Sequence, residues 1–118
     1  MVKCEVSKSG CVRPPNNAPV DVLIRINRDG TEECFLNPGV TWFFPCHYRE
    51  NTRTSCEQFK DIIEKFMREF KKMLEGGAIL YAVNCEGYGL RWFAVLDSID
   101  TNCDVNAIYG LTDGCIIL

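Results

Sequence analysis

The chain lacks any apolar segment of about 18 residues, the length that a membrane span requires. It also lacks a basic run, since its 13 lysines and arginines face 16 aspartates and glutamates, for a net charge of −3. Nucleic-acid binding through phosphates needs clustered basic side chains, so we expect no nucleic-acid partner and no membrane insertion. The length of 118 residues and the apolar share of 47% predict one soluble globular domain spanning residues 1–118.

The chain has a single histidine, His47. No two of its cysteines form a C-x-x-C pair. A cysteine nucleophile paired with histidine, or a zinc site with a histidine ligand, would therefore have to use His47. Structural zinc sites bring ligands in closely spaced pairs, which this sequence does not have. We expect no catalytic residue, metal or other cofactor, and keep a small thiol-dependent enzyme using a cysteine with His47 as an alternative.

Cysteine is abundant, with eight residues at positions 4, 11, 34, 46, 56, 85, 103 and 115. Their even number would allow four disulfides. The first residues of the chain, however, show no apolar core of a secretory signal, and several cysteines stand where a small apolar residue would fit. We therefore expect a cytoplasmic protein with reduced, buried thiols, and disulfide pairing is the alternative.

Period-two alternation of aliphatic residues predicts a strand at 20–26. A turn at 27–30, with Gly30 in the left-handed conformation, should return the chain as a hairpin partner at 31–36. Short strands are also predicted at 2–6 and 40–44. The intervening residues 7–19 are rich in glycine, proline and asparagine and are predicted to form a loop without strand pairing.

The strongest periodicity lies at 56–75, where bulky apolar residues recur every three or four positions between charged ones. It predicts a long amphipathic helix, for which Ser55 suits the N-cap. Four later segments are predicted to form a β-meander: 78–85, 90–99, 105–111 and 115–118. The predicted fold class is therefore α+β, a mostly antiparallel β-sheet with one long helix (about 56–75) packed on one face.

Two short motifs near the C-terminus have competing interpretations. Residues 100–104 match the first oxygen ligands of a calcium loop, but Val105 and Leu111 replace the glycine and glutamate that such a loop requires, which favours a plain turn. The last four residues, Cys115-Ile116-Ile117-Leu118, match a prenylation signal and equally match a terminal apolar strand.

Aromatic residues and arginines are concentrated between positions 42 and 53, and Arg91-Trp92 repeats the combination. This composition is typical of the residues that dominate protein interfaces. If a strand turned Trp42 and Phe44 inward, Phe43 and Tyr48 would face outward beside the arginines. The candidate binding residues are Trp42, Phe43, Tyr48, Arg49, Arg53, Arg91 and Trp92.

We accordingly predict a small non-enzymatic binding protein that uses this patch to engage a protein partner or a second copy of itself. A homo-oligomer is expected because one helix covers one sheet face, whereas strands 79–83 and 92–96 are apolar on both faces. Loops folded over the second face would remove that expectation. Binding of a small planar ligand, such as a nucleotide, by stacking is an alternative.

Overall fold

The computed structural model describes residues 1–70, 76–96, 108–111 and 115–117, and it confirms the α+β class. Seven strands form one antiparallel sheet and two more form a separate ribbon near the N-terminus. In chain order the elements are β1 (Glu5–Val6), β2 (Val12–Arg13), β3 (Val22–Ile26), β4 (Glu32–Leu36), β5 (Arg53–Thr54), helix α1 (Lys60–Phe70), β6 (Ala78–Cys85), β7 (Gly89–Leu96), β8 (Ile108–Gly110) and β9 (Cys115–Ile117).

The strand order in the large sheet is β5-β4-β3-β6-β7-β8-β9. The predicted hairpin of β3 and β4 is confirmed, with Val22 opposite Leu36 and Gly30 at a φ of +87° in the turn. After β5, α1 carries the chain back across the sheet so that β6 pairs with the free side of β3. The β6–β7 hairpin then forms the longest pairing of the sheet, and β8 and β9 extend it to the far edge.

Helix α1 packs on one face of this sheet, called here the helix face. It is preceded by a 3-10 turn at Glu57–Phe59, so the described helix is shorter than predicted, and residues 71–75 lie outside the described residues. Its buried residues Ile63 and Phe66 face a group of sheet residues that includes three alanines, Ala78, Ala82 and Ala94. Small side chains in the sheet leave room for the bulky ones of the helix, which permits dense packing.

The opposite face of the sheet, called the loop face, is covered by the chain itself. Val12, Ala18, Val20 and Trp42 are buried against it, together with half-buried side chains from residues 40–48. Loops folded over this face remove the reason for expecting a homo-oligomer, because the apolar surface that needed a second cover already has one. The prediction overlooked this cover because residues without a periodic pattern can still bury isolated large side chains.

Two local predictions are wrong in this covering layer. The predicted loop 7–19 contains β2, which pairs with β1 around a turn in which Gly10 has a φ of +89°. The predicted strand 40–44 is instead a turn, since the Phe44 N–H donates to the Thr41 carbonyl and Thr41 makes only isolated bridges. The Trp42 N–H donates to the Ala18 carbonyl, so contacts between the two loops replace a regular ladder there.

The expectation of reduced thiols is wrong. Disulfides join Cys4 to Cys85, Cys11 to Cys115 and Cys34 to Cys56, and Cys46 is disulfide-bonded as well. These pairs are separated by 81, 104 and 22 residues, so local spacing could not reveal them. Cys115 lies in β9 with its sulfur bonded, which contradicts prenylation and confirms the terminal strand.

The disulfides generate a stability prediction. The double substitution Cys34→Ala with Cys56→Ala should lower the free energy of unfolding by about 3 kcal/mol, because it frees a loop of 22 residues in the unfolded chain. Urea unfolding followed by fluorescence measures this change. Reduction of the denatured wild type should raise its intact mass by about two mass units per disulfide, because each sulfur gains a hydrogen atom. An unchanged mass would show that the cysteines are not disulfide-bonded.

A second prediction concerns Tyr81, whose hydroxyl is buried without a hydrogen-bond partner among the described residues. Burial raises the pKa of Tyr81 well above its ordinary value, so the fold requires the neutral phenol. Stability is therefore full below the unfolded-state pKa of about 10 and falls as the pH rises above it. Tyr81→Phe should raise the free energy of unfolding by about 1 kcal/mol at neutral pH, because it removes the unpartnered hydroxyl. It should also reduce the loss of stability at alkaline pH.

Urea unfolding at pH about 7 and about 10.5 compares this variant with the wild type. Tyr88→Phe is the matched control, because the Tyr88 ring is exposed on the turn between β6 and β7. Equal alkaline losses in the wild type and in Tyr81→Phe would contradict the assignment to Tyr81.

Candidate functional site

The sheet separates the candidate binding residues into two groups. Trp42, Phe43 and Tyr48 pack on the loop face. Trp92 packs on the helix face, where its ring lies 6.1 Å from that of Phe59. Arg91 precedes Trp92 in β7 and therefore points to the opposite side of the sheet. The structure thus places Trp92 across the sheet from the aromatic residues of 42–48, so these rings do not form one continuous surface.

Trp42 is fully buried, which prevents its ring from touching a partner. The ring lies 5.5 Å from Phe93 and 5.9 Å from Phe43, and its exposed fraction is 0%. Phe44, which the alternation pattern placed inward, is 57% exposed. The pattern fails because residues 41–44 form a turn, in which neighbouring side chains do not alternate between two sides.

Phe43 and Phe44 form what is called here the aromatic loop surface, and Arg49 and Arg53 follow later in the same stretch of chain. The Phe44 ring meets the half-buried Phe43 ring edge-on at 4.7 Å. Since Phe43 in turn touches the buried Trp42, a continuous series of rings connects the exposed Phe44 to the core. Edge-to-face contacts of this kind hold a ring in a defined orientation. Phe44 is therefore an exposed apolar side chain on a supported segment of chain.

Arg49 is held by the turn that precedes this segment. Its Nη2 donates to the Asn37 carbonyl at 3.0 Å, and its backbone N–H donates to the Pro38 carbonyl at 3.2 Å. Gly39 lies directly beneath the guanidinium, since a Cβ there would stand 2.7 Å from Arg49 Nε. The adjacent cleft of about 330 Å³ has no aromatic residue in its lining, so it offers no platform for a planar ligand.

Tyr48 and Arg53 differ in whether their side chains can contact a partner. The Tyr48 ring lies 4.5 Å from Phe35, and its hydroxyl accepts a hydrogen bond of 2.8 Å from Arg25 Nη1. These contacts make Tyr48 a support of the loop rather than a free contact residue. Arg53 approaches Glu33 only to 4.0 Å and its side chain is 62% exposed, so this ion pair contributes little and leaves the guanidinium accessible.

The described cysteines supply no thiolate for His47. Cys34, Cys46, Cys56 and Cys85 are all disulfide-bonded, which contradicts a thiol-dependent site at any of them and a zinc site using Cys46. Cys103 and the predicted turn 100–104 lie outside the described residues. In the part of the chain that the structure describes, no group of three or more potential metal ligands is brought together.

A groove that the sequence did not predict lies beside the β1–β2 ribbon. It has a volume of about 490 Å³, and its lining residues come from the ribbon and from β9. The signal was the pair of valines, Val6 and Val12, on either side of the short turn Ser7–Gly10, a pattern compatible with a small hairpin. The glycine, prolines and asparagines of 7–19 favour a loop and outweigh this short pattern.

Comparison with protein-family models, curated protein sequences and solved structures found no match for this chain. Within residues 1–70, 76–96, 108–111 and 115–117, no helix has the length and apolar character needed to cross a bilayer. The function must therefore be inferred from the geometry of the molecular surface.

The position of Arg49 over Gly39 generates a further prediction. Gly39→Ala and Gly30→Ala both force alanine into a positive φ, of +77° and +87°, which costs about 1 kcal/mol. Only Gly39→Ala also displaces a side chain, because the space around Gly30 is open. Gly39→Ala should therefore lower the free energy of unfolding by about 1 kcal/mol more, through loss of the Arg49 hydrogen bond to Asn37.

Thermal or urea unfolding of both variants measures the difference between their free energies of unfolding. In an Arg49→Ala background, which has already lost this hydrogen bond, the two glycine substitutions should lower the free energy of unfolding equally. Equal destabilisation by the two glycine substitutions would show that Arg49 does not brace this turn.

Proposed function

We propose that this protein is a disulfide-stabilised, non-enzymatic binding domain that engages a partner protein through the aromatic loop surface. The observation that carries the proposal is the 57% exposure of Phe44 on a braced segment of chain. An apolar ring in water is unfavourable, and burying it against a partner would contribute about 1.5–3 kcal/mol. Because the ring is already supported by Phe43, little conformational entropy is lost on binding.

Two arginines that follow Phe44 along the chain suit the same role. Arg49 and Arg53 are both exposed, and each can donate several hydrogen bonds to carboxylates or carbonyls of a partner. Aromatic rings and arginines are the residue types that contribute most to binding energy at protein interfaces. Trp42 and Tyr48 support the surface from inside, and Trp92 packs on the helix face.

The disulfides support a place of action outside a reducing compartment. Such bonds persist in secreted, periplasmic or lumenal proteins, whereas the cytosol keeps most thiols reduced. We therefore replace the expectation of a cytoplasmic protein with the proposal of an oxidising compartment. In such a compartment a small domain gains stability from covalent links between distant segments.

The experiment compares Phe44→Ser with Tyr88→Ser as baits. Both substitutions remove an exposed aromatic ring, 57% exposed at Phe44 and 49% at Tyr88. The wild type and Tyr88→Ser should enrich a common partner from the extracellular or lumenal fraction of the source cells. Phe44→Ser should reduce its recovery by about tenfold or more, because the lost ring burial corresponds to at least about 1.4 kcal/mol.

Unchanged unfolding curves would show that both baits remain folded. Identical enrichment by all three baits, or no protein enriched by the wild type, would overturn the proposal. Sedimentation of the wild type over a range of concentrations tests the second copy as partner: dimerisation abolished by Phe44→Ser would identify self-association as the function of this surface.

A further inference from the structure

The Cys11–Cys115 disulfide is more accessible than the other two disulfides of which both cysteines are described. Cys11 and Cys115 are each half-buried. Each of the other two bonds includes a fully buried cysteine, Cys85 in one and Cys34 in the other, with exposed fractions of 0%. Cys11–Cys115 is therefore the one bond of these three in which neither sulfur belongs to a fully buried residue.

Burial of one sulfur hinders thiol–disulfide exchange whichever sulfur is attacked. A thiolate cannot reach a sulfur that the core encloses. If it attacks the accessible partner instead, the buried sulfur must leave as a thiolate, and an apolar environment disfavours that charge. Cys85 belongs to the core of the loop face and Cys34 to the core of the helix face, so reduction of either bond meets this cost. Reduction of Cys11–Cys115 avoids it, because either sulfur can leave in partial contact with water.

The groove beside the β1–β2 ribbon gives a small thiol access to this bond. Cys11 is among the residues that line the groove, whose volume is about 490 Å³. The Cys11 Sγ accepts a hydrogen bond of 3.7 Å from the Ser9 hydroxyl, and this contact is exposed. Ile116, another lining residue, is 60% exposed. A thiolate can therefore approach the Cys11 sulfur from the groove, and exposed disulfides are more readily reduced than enclosed ones.

The same bond ties the β1–β2 ribbon to β9. Among the described strands, neither strand of the ribbon pairs with the large sheet, and the ribbon itself contains only two residue pairs. A two-stranded ribbon of this size has little stability of its own. The chain is fixed on both sides of it, by the Cys4–Cys85 disulfide before β1 and by the buried Val12 in β2. Opening Cys11–Cys115 should therefore loosen residues 5–11 and leave the rest of the domain folded.

From these observations we infer that the Cys11–Cys115 disulfide is a regulatory thiol–disulfide exchange site, which a dithiol reductant opens in the folded protein to release the ribbon from β9. The inference does not depend on the function proposed for the aromatic loop surface.

The exchange takes place in two steps. A thiolate of the reductant bonds to the Cys11 Sγ, the bond between the two cysteines breaks, and Cys115 leaves as a thiolate that takes a proton from water. The second thiol of the reductant, as its thiolate, attacks the reductant's own sulfur in this mixed disulfide, and Cys11 leaves in the same way. The reductant has then given two electrons and become a disulfide, and its two protons have passed through water to Cys11 and Cys115.

The test treats the folded wild type with dithiothreitol, a dithiol, for increasing times and traps each new thiol with iodoacetamide. Digestion and mass spectrometry then give the rate at which each cysteine becomes alkylated. Cys11 and Cys115 should be alkylated about tenfold or more faster than Cys34 and Cys85, because their bond can open without releasing a buried thiolate. Alkylation of all four at one rate would show that reduction requires unfolding of the whole domain, and would overturn the inference.

Hydrogen exchange tests the release of the ribbon. In the partly reduced wild type, amide exchange should become faster in the ribbon, where the Ser7 N–H donates to the Cys11 carbonyl at 2.9 Å, and stay unchanged in β3 and β6. Unchanged exchange in the ribbon would overturn the inference, because the bond would then not hold it.

Two double substitutions provide matched variants. Cys11→Ala with Cys115→Ala should give the fast ribbon exchange without any reductant, because the link to β9 is already missing. Cys34→Ala with Cys56→Ala removes a different disulfide and should keep the ribbon protected until dithiothreitol is added. Equal ribbon exchange in the two variants before reduction would contradict a specific role of the Cys11–Cys115 bond.

Discussion

The burial of both faces of the central sheet is the constraint on which the rest of this structure depends. Strand β6 is buried along nearly its whole length, and β3 and the second half of β7 are buried with it. Two apolar faces need two covers. A single amphipathic helix supplies the first, and its stripe of large side chains fits the small ones of the sheet. The second cover has to be built from irregular chain.

That irregular cover explains two of the disulfides, Cys4–Cys85 and Cys11–Cys115. A helix satisfies its own backbone hydrogen bonds, whereas a loop layer has few repeating contacts to offset the conformational entropy that its residues lose on folding. Cross-links that join the first residues of the chain to β6 and β9 reduce the entropy of the unfolded chain and hold the layer against the sheet. The third disulfide fastens the start of the helix region to β4.

The surface proposed to bind a partner belongs to this covering layer. Its buried side chains, Trp42 foremost, support exposed ones: Phe44 through Phe43 on one side, and on the other Arg13, whose guanidinium carbon lies 6.0 Å from the centre of the Trp42 ring. The candidate residue Trp42 thus contributes to the surface from inside rather than as a contact. Rigid display of a few side chains from a loop on a stable sheet is the usual arrangement for sites that bind other molecules.

The sequence by itself determined the elements in which apolar residues repeat with the period of a strand or a helix. These are the β3–β4 hairpin, the β6–β7 hairpin and the amphipathic helix, and together they determine the α+β class. In each, burial on a face repeats every two or three to four residues, and that repetition is visible without the fold. The cover of the loop face, the outward turn of Phe44 and the pairing of the cysteines were decided only by the tertiary structure. These features depend on contacts between residues up to 104 positions apart, such as Cys11 and Cys115, and no local pattern encodes which distant segments meet.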